Sequence, residues 1–179
     1  MESGLVVEYI DKQRILCAVV LEVKQQRLRL LTENSREVSL APNRLSHQSA
    51  ERLDLALGRD RMVDMLKRFA ARRDALTQGI DIRELWEVLN SEQEWIDLET
   101  MTAFCFPETT TSDHESAVIR AFFGNRRYFK FNSDGFFPHS QSHVEQLIAR
   151  ENEEARRRQL IQDGSDWLRR SLVDPGSMT

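Results

Sequence analysis

Apolar and polar positions change rhythm twice along this chain. Over the first 45 residues they come in short runs, "LVVEYI", "RILCAVVLEV", "RLRLLTE" and "REVSLAP", rich in Val, Leu and Ile. Turn-like Asp11-Lys12-Gln13, Lys24-Gln25-Gln26 and Asn34-Ser35 separate them, the pattern of successive antiparallel strands. In the third run Arg27 and Arg29 alternate with Leu28 and Leu30, which predicts one basic and one apolar face. Pro42 cannot donate to a central ladder and is expected to end the β region. Strands this short and close predict a small SH3-like or cold-shock-like barrel over 1–45.

From about Ser46 the rhythm becomes helical. "AERLDLAL" reads as a short helix stopped near Gly58. Met62, Met65, Leu66, Phe69 and Leu76 then mark the apolar stripe of a second helix, with Arg68, Arg72 and Arg73 expected on its wet side. Residues 46–79 thus read as a helical connector. Three punctuated helices follow. Asp81 with Glu84 predicts a capping box before "IRELWEVL", and "DLETMTAFCF" stops at Pro107. Ser112 with Glu115 predicts a second box before "DHESAVIRAFF", which ends at Gly124-Asn125.

The stretch "RRYFKFNSDGFFPHS" comes next, two aromatic runs about Asn132-Ser133-Asp134-Gly135, and reads as a hairpin. Three helices and a hairpin within 80–140 are the order of a winged helix. Ser142 and Glu145 predict a third capping box opening a long charged helix, interrupted at Gly164, within 141–179. Asp174-Pro175-Gly176 reads as a linker. The expected fold class is α+β.

Composition adds an uneven charge. The 179 residues are 40% apolar and 30% charged with a net charge of −4, which argues against indiscriminate coating of nucleic acid. Ten acids against a single base, Arg83, fill Asp81 to Glu115. Bases gather elsewhere, so a modular binding surface is expected. The chain has no apolar run of membrane-spanning length and no secretory signal pattern, and Cys17 and Cys105 sit in apolar runs. A cytoplasmic protein with reduced thiols is the expectation.

Catalytic patterns are missing. His47, His114, His139 and His143 form no HExxH motif, and no phosphate-loop, dinucleotide or nucleophile-elbow motif occurs. His139 and His143, four apart, are expected not to share a face because Ser142 starts the helix between them. No catalytic residue, cofactor or metal is assigned to this chain, and binding is left as its role. Arg27, Arg29, Arg36 and Arg44 on the β region are candidates to track phosphates, though Glu22, Glu33 and Glu37 nearby suit a solvated face equally well. Arg126, Arg127 and Lys130 on the hairpin are candidates for phosphate contact, with Phe129 and Phe131 expected to face the core. The preceding helix presents Asp113, His114 and Glu115 where a recognition helix would meet bases, which argues against duplex readout.

The opening "GLVVEYIDKQRILCAVVLEVKQQRLRLLTENSREVSLAPNRLSH" resembles the N-terminus of a bacterial branch of the ribonuclease II/R (RNB-domain) exoribonucleases. The Val-Glu-Tyr-Ile-Asp start and the strand sequences after it carry the likeness, and "IDIRELWEVL", "RRYFKFNSDGFFPHS" and "EEARRRQL" fit the region beyond. The resemblance implies a parent enzyme that degrades RNA from its 3′ end with magnesium. It implies catalytic aspartates downstream of Thr179, so no active-site residue carries over. It also implies single-stranded RNA and the downstream catalytic domain as partners, this region capturing and gating the strand. A free-standing winged-helix DNA-binding regulator and a protein-interaction scaffold are the alternatives.

Overall fold

The structure, a computed structural model, describes residues 1–92, 94–132 and 135–173. The centre of the expected hairpin turn, Ser133-Asp134, and the Asp174-Pro175-Gly176 stretch lie outside the described residues. Met1–Pro138 forms one compact unit, and a second begins at His139. The chain is α+β, and its described residues build a five-stranded antiparallel sheet and five α-helices.

Strands β1 (Leu5–Asp11), β2 (Arg14–Lys24), β3 (Arg27–Thr32) and β4 (Glu37–Leu40) fall where the apolar runs predict them. A fifth strand, β5 (Leu45–Arg52), follows a 3-10 turn at Pro42–Arg44, and the sheet order is β4-β3-β2-β1-β5. This corrects the expected helix at "AERLDLAL": Ala50 to Arg52 are strand, and only Leu55–Leu57 form a 3-10 turn. Pro42 ends β4 without ending the sheet. No closed barrel forms among the described residues, because β4 and β5 stand at opposite edges. Register shifts in β2 between Val20 and Glu22, and in the β1–β5 ladder, mark bulges that bend the sheet.

The bend lets both faces bury apolar side chains. One cluster holds Val7, Tyr9, Leu16, Ala18, Val20, Leu28 and Leu30. Val6, Cys17, Val19 and Leu31 pack on the other face against Met62, Val63, Leu66 and Ala70 of α1 (Arg59–Thr77). Each Val, Leu or Met among them taken fully from water contributes about 1.5–3 kcal/mol.

Helices α2 (Ile82–Leu89), α3 (Leu98–Cys105) and α4 (Ser112–Gly124) follow in the expected order. Asp81 and Asp97 cap the first two, accepting from Glu84 N at 3.0 Å and Thr100 N at 2.7 Å. The box expected at Ser112 and Glu115 does not form. Ser112 Oγ instead accepts from Ala50 N at 2.8 Å, and Glu115 meets His47 at 3.0 Å, so both turn toward β5.

Strands β6 (Phe129–Asn132) and β7 (Gly135–Pro138) pair antiparallel. Ile96 adds a third line to them through reciprocal backbone hydrogen bonds with Phe136 of 2.8 and 2.9 Å. The approach is so close that a Cβ on Gly135, whose φ is +126°, would lie 2.2 Å from Ile96 O. Only glycine fits there.

In the second unit, α5 (Gln141–Val173) runs unbroken through Gly164, which corrects the expected interruption. A lone glycine in an exposed helix costs about 1 kcal/mol, too little to break 33 residues rich in Glu, Arg, Gln and Leu. Ser140, rather than Ser142, accepts from the first turn (His143 N, 3.3 Å), and the His139 and His143 rings, expected to lie apart, come within 4.4 Å of each other. No described helix is long and apolar enough to cross a membrane.

Candidate nucleic-acid interface

Positive charge in the first unit divides into a buried set and an exposed set. The buried set centres on Arg73, fully inaccessible on α1. It is the largest correction to the expected wet side of that helix. Arg73 lies seven residues after Leu66 and eleven after Met62, on the apolar face rather than opposite it. Its guanidinium meets Glu8 on β1 at 3.0 Å, Glu51 on β5 at 2.8 Å and Asp113 on α4 at 2.8 Å. Ser49 Oγ accepts a further bond at 3.1 Å. Arg120 of α4 adds contacts of 2.6 Å to Glu8 and to Asp74, and Arg72 pairs with Glu51 and Asp113.

Burial strongly opposes ionisation of Glu8, yet Arg120 and Arg73 together outweigh it and hold its carboxyl below the usual range. Burial likewise opposes the charge on Arg73, and Glu8 and Asp113 overcome it and raise its pKa. Nearby, burial pushes the Cys17 thiol up to about 12 and the Cys105 thiol up to about 11, so both stay protonated and unreactive. Asp113 and Glu115, the expected acids of a recognition surface, are thus directed inward to arginine and histidine partners. Most of α4 is buried, including Ser116, Ala117, Val118, Ile119 and Phe122.

The candidate residues are scattered over the exposed set. Arg27 bonds Ser39, through Oγ at 3.0 Å and the carbonyl at 2.9 Å. Arg29 lies between Glu22 and Glu37, each at 3.6 Å, so the basic face of β3 is partly neutralised by its neighbours. Arg36 is exposed beside the β3–β4 turn. Lys130 Nζ sits 5.5 Å from the ring centre of Trp95, while Arg127 is half-buried and its backbone N–H bonds Asn125 Oδ1 at 3.2 Å. Arg27 and Arg29 line one cleft together with Glu22, whose carboxylate pairs with Arg29, so these five do not converge on a site of unpaired charge.

Arg44 and Arg126 do. Both line a cleft of about 570 Å³ between the end of the sheet and the β6–β7 hairpin. Ile10, Leu45, Leu98 and Ile119 supply apolar walls, and half-buried Phe131 stands in it, stacked on the buried Phe136 ring (5.2 Å apart, 15° between planes). Phe129 faces the core as expected, whereas Phe131 is half-buried and belongs to the cleft. Asn43 and Asn132 add amides. Ser46 Oγ, buried in the wall, has no hydrogen-bond partner among the described residues. Neither arginine forms an ion pair with a described residue, and Arg126 rests 5.1 Å from the Phe123 ring centre.

Asp97, the one lining acid among the described residues, accepts the Thr100 N–H that caps α3, and that bond lowers its pKa. Two guanidinia, amides and stacked rings can hold an anionic, planar ligand, phosphate on the arginines and a ring against Phe131. Sequence reasoning singled out both arginines but missed Asn43, Ser46 and the role of Phe131. No local signal ties the 3-10 turn at Pro42–Arg44 to a hairpin some 80 residues later. Among the described residues no group of three or more His, Cys, Asp or Glu side chains is arranged to hold a metal ion, and no residue of this chain is assigned to magnesium. Compared with known proteins, the chain matches no family model, no curated protein and no solved structure.

Proposed function

We propose that the first unit captures single-stranded RNA, with the Arg44–Arg126 cleft as the point of grip. The observation that carries this reading is the convergence of two exposed arginines, neither ion-paired with a described residue, on a cleft where Phe131 stacks on the buried Phe136. Single strands are bound through backbone charge and ring stacking, and both are offered here without a helix entering a groove. The strand order supports an SH3-like module: a meander whose last strand follows a 3-10 turn and returns to pair with β1. The sequence α2, Ile96 bridge, α3, α4, β6, β7 supports a winged helix. Its third helix packs inward by its acids, which favours a capture module over a regulator that reads duplex DNA.

On this reading, and on the resemblance of the opening strands, the chain is the substrate-gating region of a ribonuclease II/R-type 3′-to-5′ exoribonuclease. It is non-catalytic itself and feeds a downstream magnesium-dependent domain. The test is a gel shift at low salt with labelled single-stranded RNA and with duplex DNA. Binding of the RNA that weakens steeply with salt is expected. Absence of any RNA shift contradicts the reading, and preference for the duplex favours a DNA-binding regulator instead.

A further inference from the structure

The first unit carries a second open feature, unlike the cleft in charge. Between α2 and α3 runs an apolar groove of about 350 Å³ lined by Ile80, Leu85, Val88, Leu89, Phe104 and Cys105. Val88 is 73% exposed and Phe104 51%, an unusual display for large apolar side chains. Asp81 and Glu84 stand on its rim. They belong to the ten-acid stretch whose only base, Arg83, is already paired with Glu87 at 2.9 Å. Such a groove suits an apolar helix with basic flanks.

The same chain displays such a helix. On α5, Leu160, Ile161, Trp167 and Leu168 are each more than half exposed. Their spacing of one, six and one residues puts them on one face. They span about 12 Å of helix axis, close to the length of the eight-residue α2. Arg156, Arg157 and Arg158 precede this face and Arg169 and Arg170 adjoin it, all exposed. Arg158 pairs with Glu154 at 3.7 Å and Arg169 with Asp166 at 3.9 Å, and the other three form no ion pair with a described residue.

We propose that the second half of α5 from one copy packs into the α2–α3 groove of a second copy. Apolar faces of matching length meet, and the arginines of α5 face the acidic rim. Two copies can exchange this contact reciprocally, closing a two-fold dimer. The proposal is independent of RNA binding.

The experiment is sedimentation equilibrium of the 179-residue chain across concentration and salt. Two variants at exposed positions accompany it, Val88→Lys in the groove and Ile161→Glu on α5. Circular dichroism checks that each keeps the native spectrum. A wild-type dimer is expected, loosening as ionic strength rises past about 0.1 M, where screening reaches the flanking charges. Each variant is expected to dimerise at least about tenfold more weakly. An equimolar mixture is expected to associate more tightly than either variant alone, because one intact groove then meets one intact α5. A wild-type monomer throughout, a Val88→Lys dimer as tight as wild type, or a mixture no tighter than its components overturns the proposal.

Discussion

Arg73 and the pair Arg44 and Arg126 are the same residue type put to opposite uses. Around Arg73 the carboxylates of Glu8, Glu51 and Asp113 are inside hydrogen-bond range, and three elements, β1, β5 and α4, supply them to α1. Around the cleft arginines no described carboxylate is close enough to pair; Asp97 lines the cleft but is engaged at the α3 cap, and the other neighbouring groups are rings, amides and aliphatic walls. The first arrangement fixes the fold and leaves no charge to offer. The second leaves two charges for a ligand. Counting arginines therefore says little about binding until the acids that consume them are placed.

Predictions can be ranked by how hard they press on this contrast. Arg73→Ala leaves Glu8 and Asp113 buried with weaker compensation, and a loss of about 3–5 kcal/mol is expected in urea denaturation. Glu8→Gln keeps the shape but removes the charge facing Arg73 and Arg120, for an expected loss of about 1.5–3 kcal/mol at neutral pH. Glu8 also sets a pH dependence. Its folded pKa lies below the ordinary 4.5, so its stabilisation is fully present above that value and fades as pH falls through the lower folded pKa. Wild type is expected to lose stability in acid more steeply than Glu8→Gln, as followed by thermal melts between neutral pH and acid.

Gly135→Ala presses on the cleft wall without touching the Arg73 cluster. The strained φ and the clash with Ile96 O predict a loss of about 1–3 kcal/mol together with weakened RNA binding. Arg44→Ala and Arg126→Ala, at exposed positions, are expected to change stability by less than about 0.5 kcal/mol while weakening RNA binding. The smallest effect belongs to Arg29→Ala. Glu22 and Glu37 already occupy its charge, and fluorescence anisotropy should find RNA affinity within about twofold of wild type, since exposed pairs contribute about 0.2–1 kcal/mol.

The contrast also explains what could be read in advance. Strands β1 to β4, the helix order and the hairpin follow from apolar periodicity and capping residues, which are local. Strand β5 escaped because its inward positions are the buried His47 and Ser49 and the half-buried Glu51, polar residues that meet α4 and Arg73. A strand that buries a charge network has no apolar alternation to recognise. Arg73 itself was legible in principle, since it continues the spacing of Met62 and Leu66, but its charge suggested solvent. The cleft was legible only in part. Its arginines stand out by composition, whereas their meeting depends on packing a 3-10 turn near a distant hairpin, and no local pattern encodes that.

The most direct test of the central claim is the salt dependence of single-stranded RNA binding, measured by fluorescence anisotropy. Three proteins suffice: wild type, Arg44→Ala/Arg126→Ala, and Arg27→Ala/Arg29→Ala. Each phosphate contact on a single strand contributes about 0.7 to the slope of log affinity against log salt, so loss of the cleft pair should lower it by about 1.4. The β3 pair, already engaged by Glu22, Glu37 and Ser39, should leave the slope near wild type. An unchanged slope in Arg44→Ala/Arg126→Ala, or a larger fall in Arg27→Ala/Arg29→Ala, would contradict the assignment of the grip to the cleft.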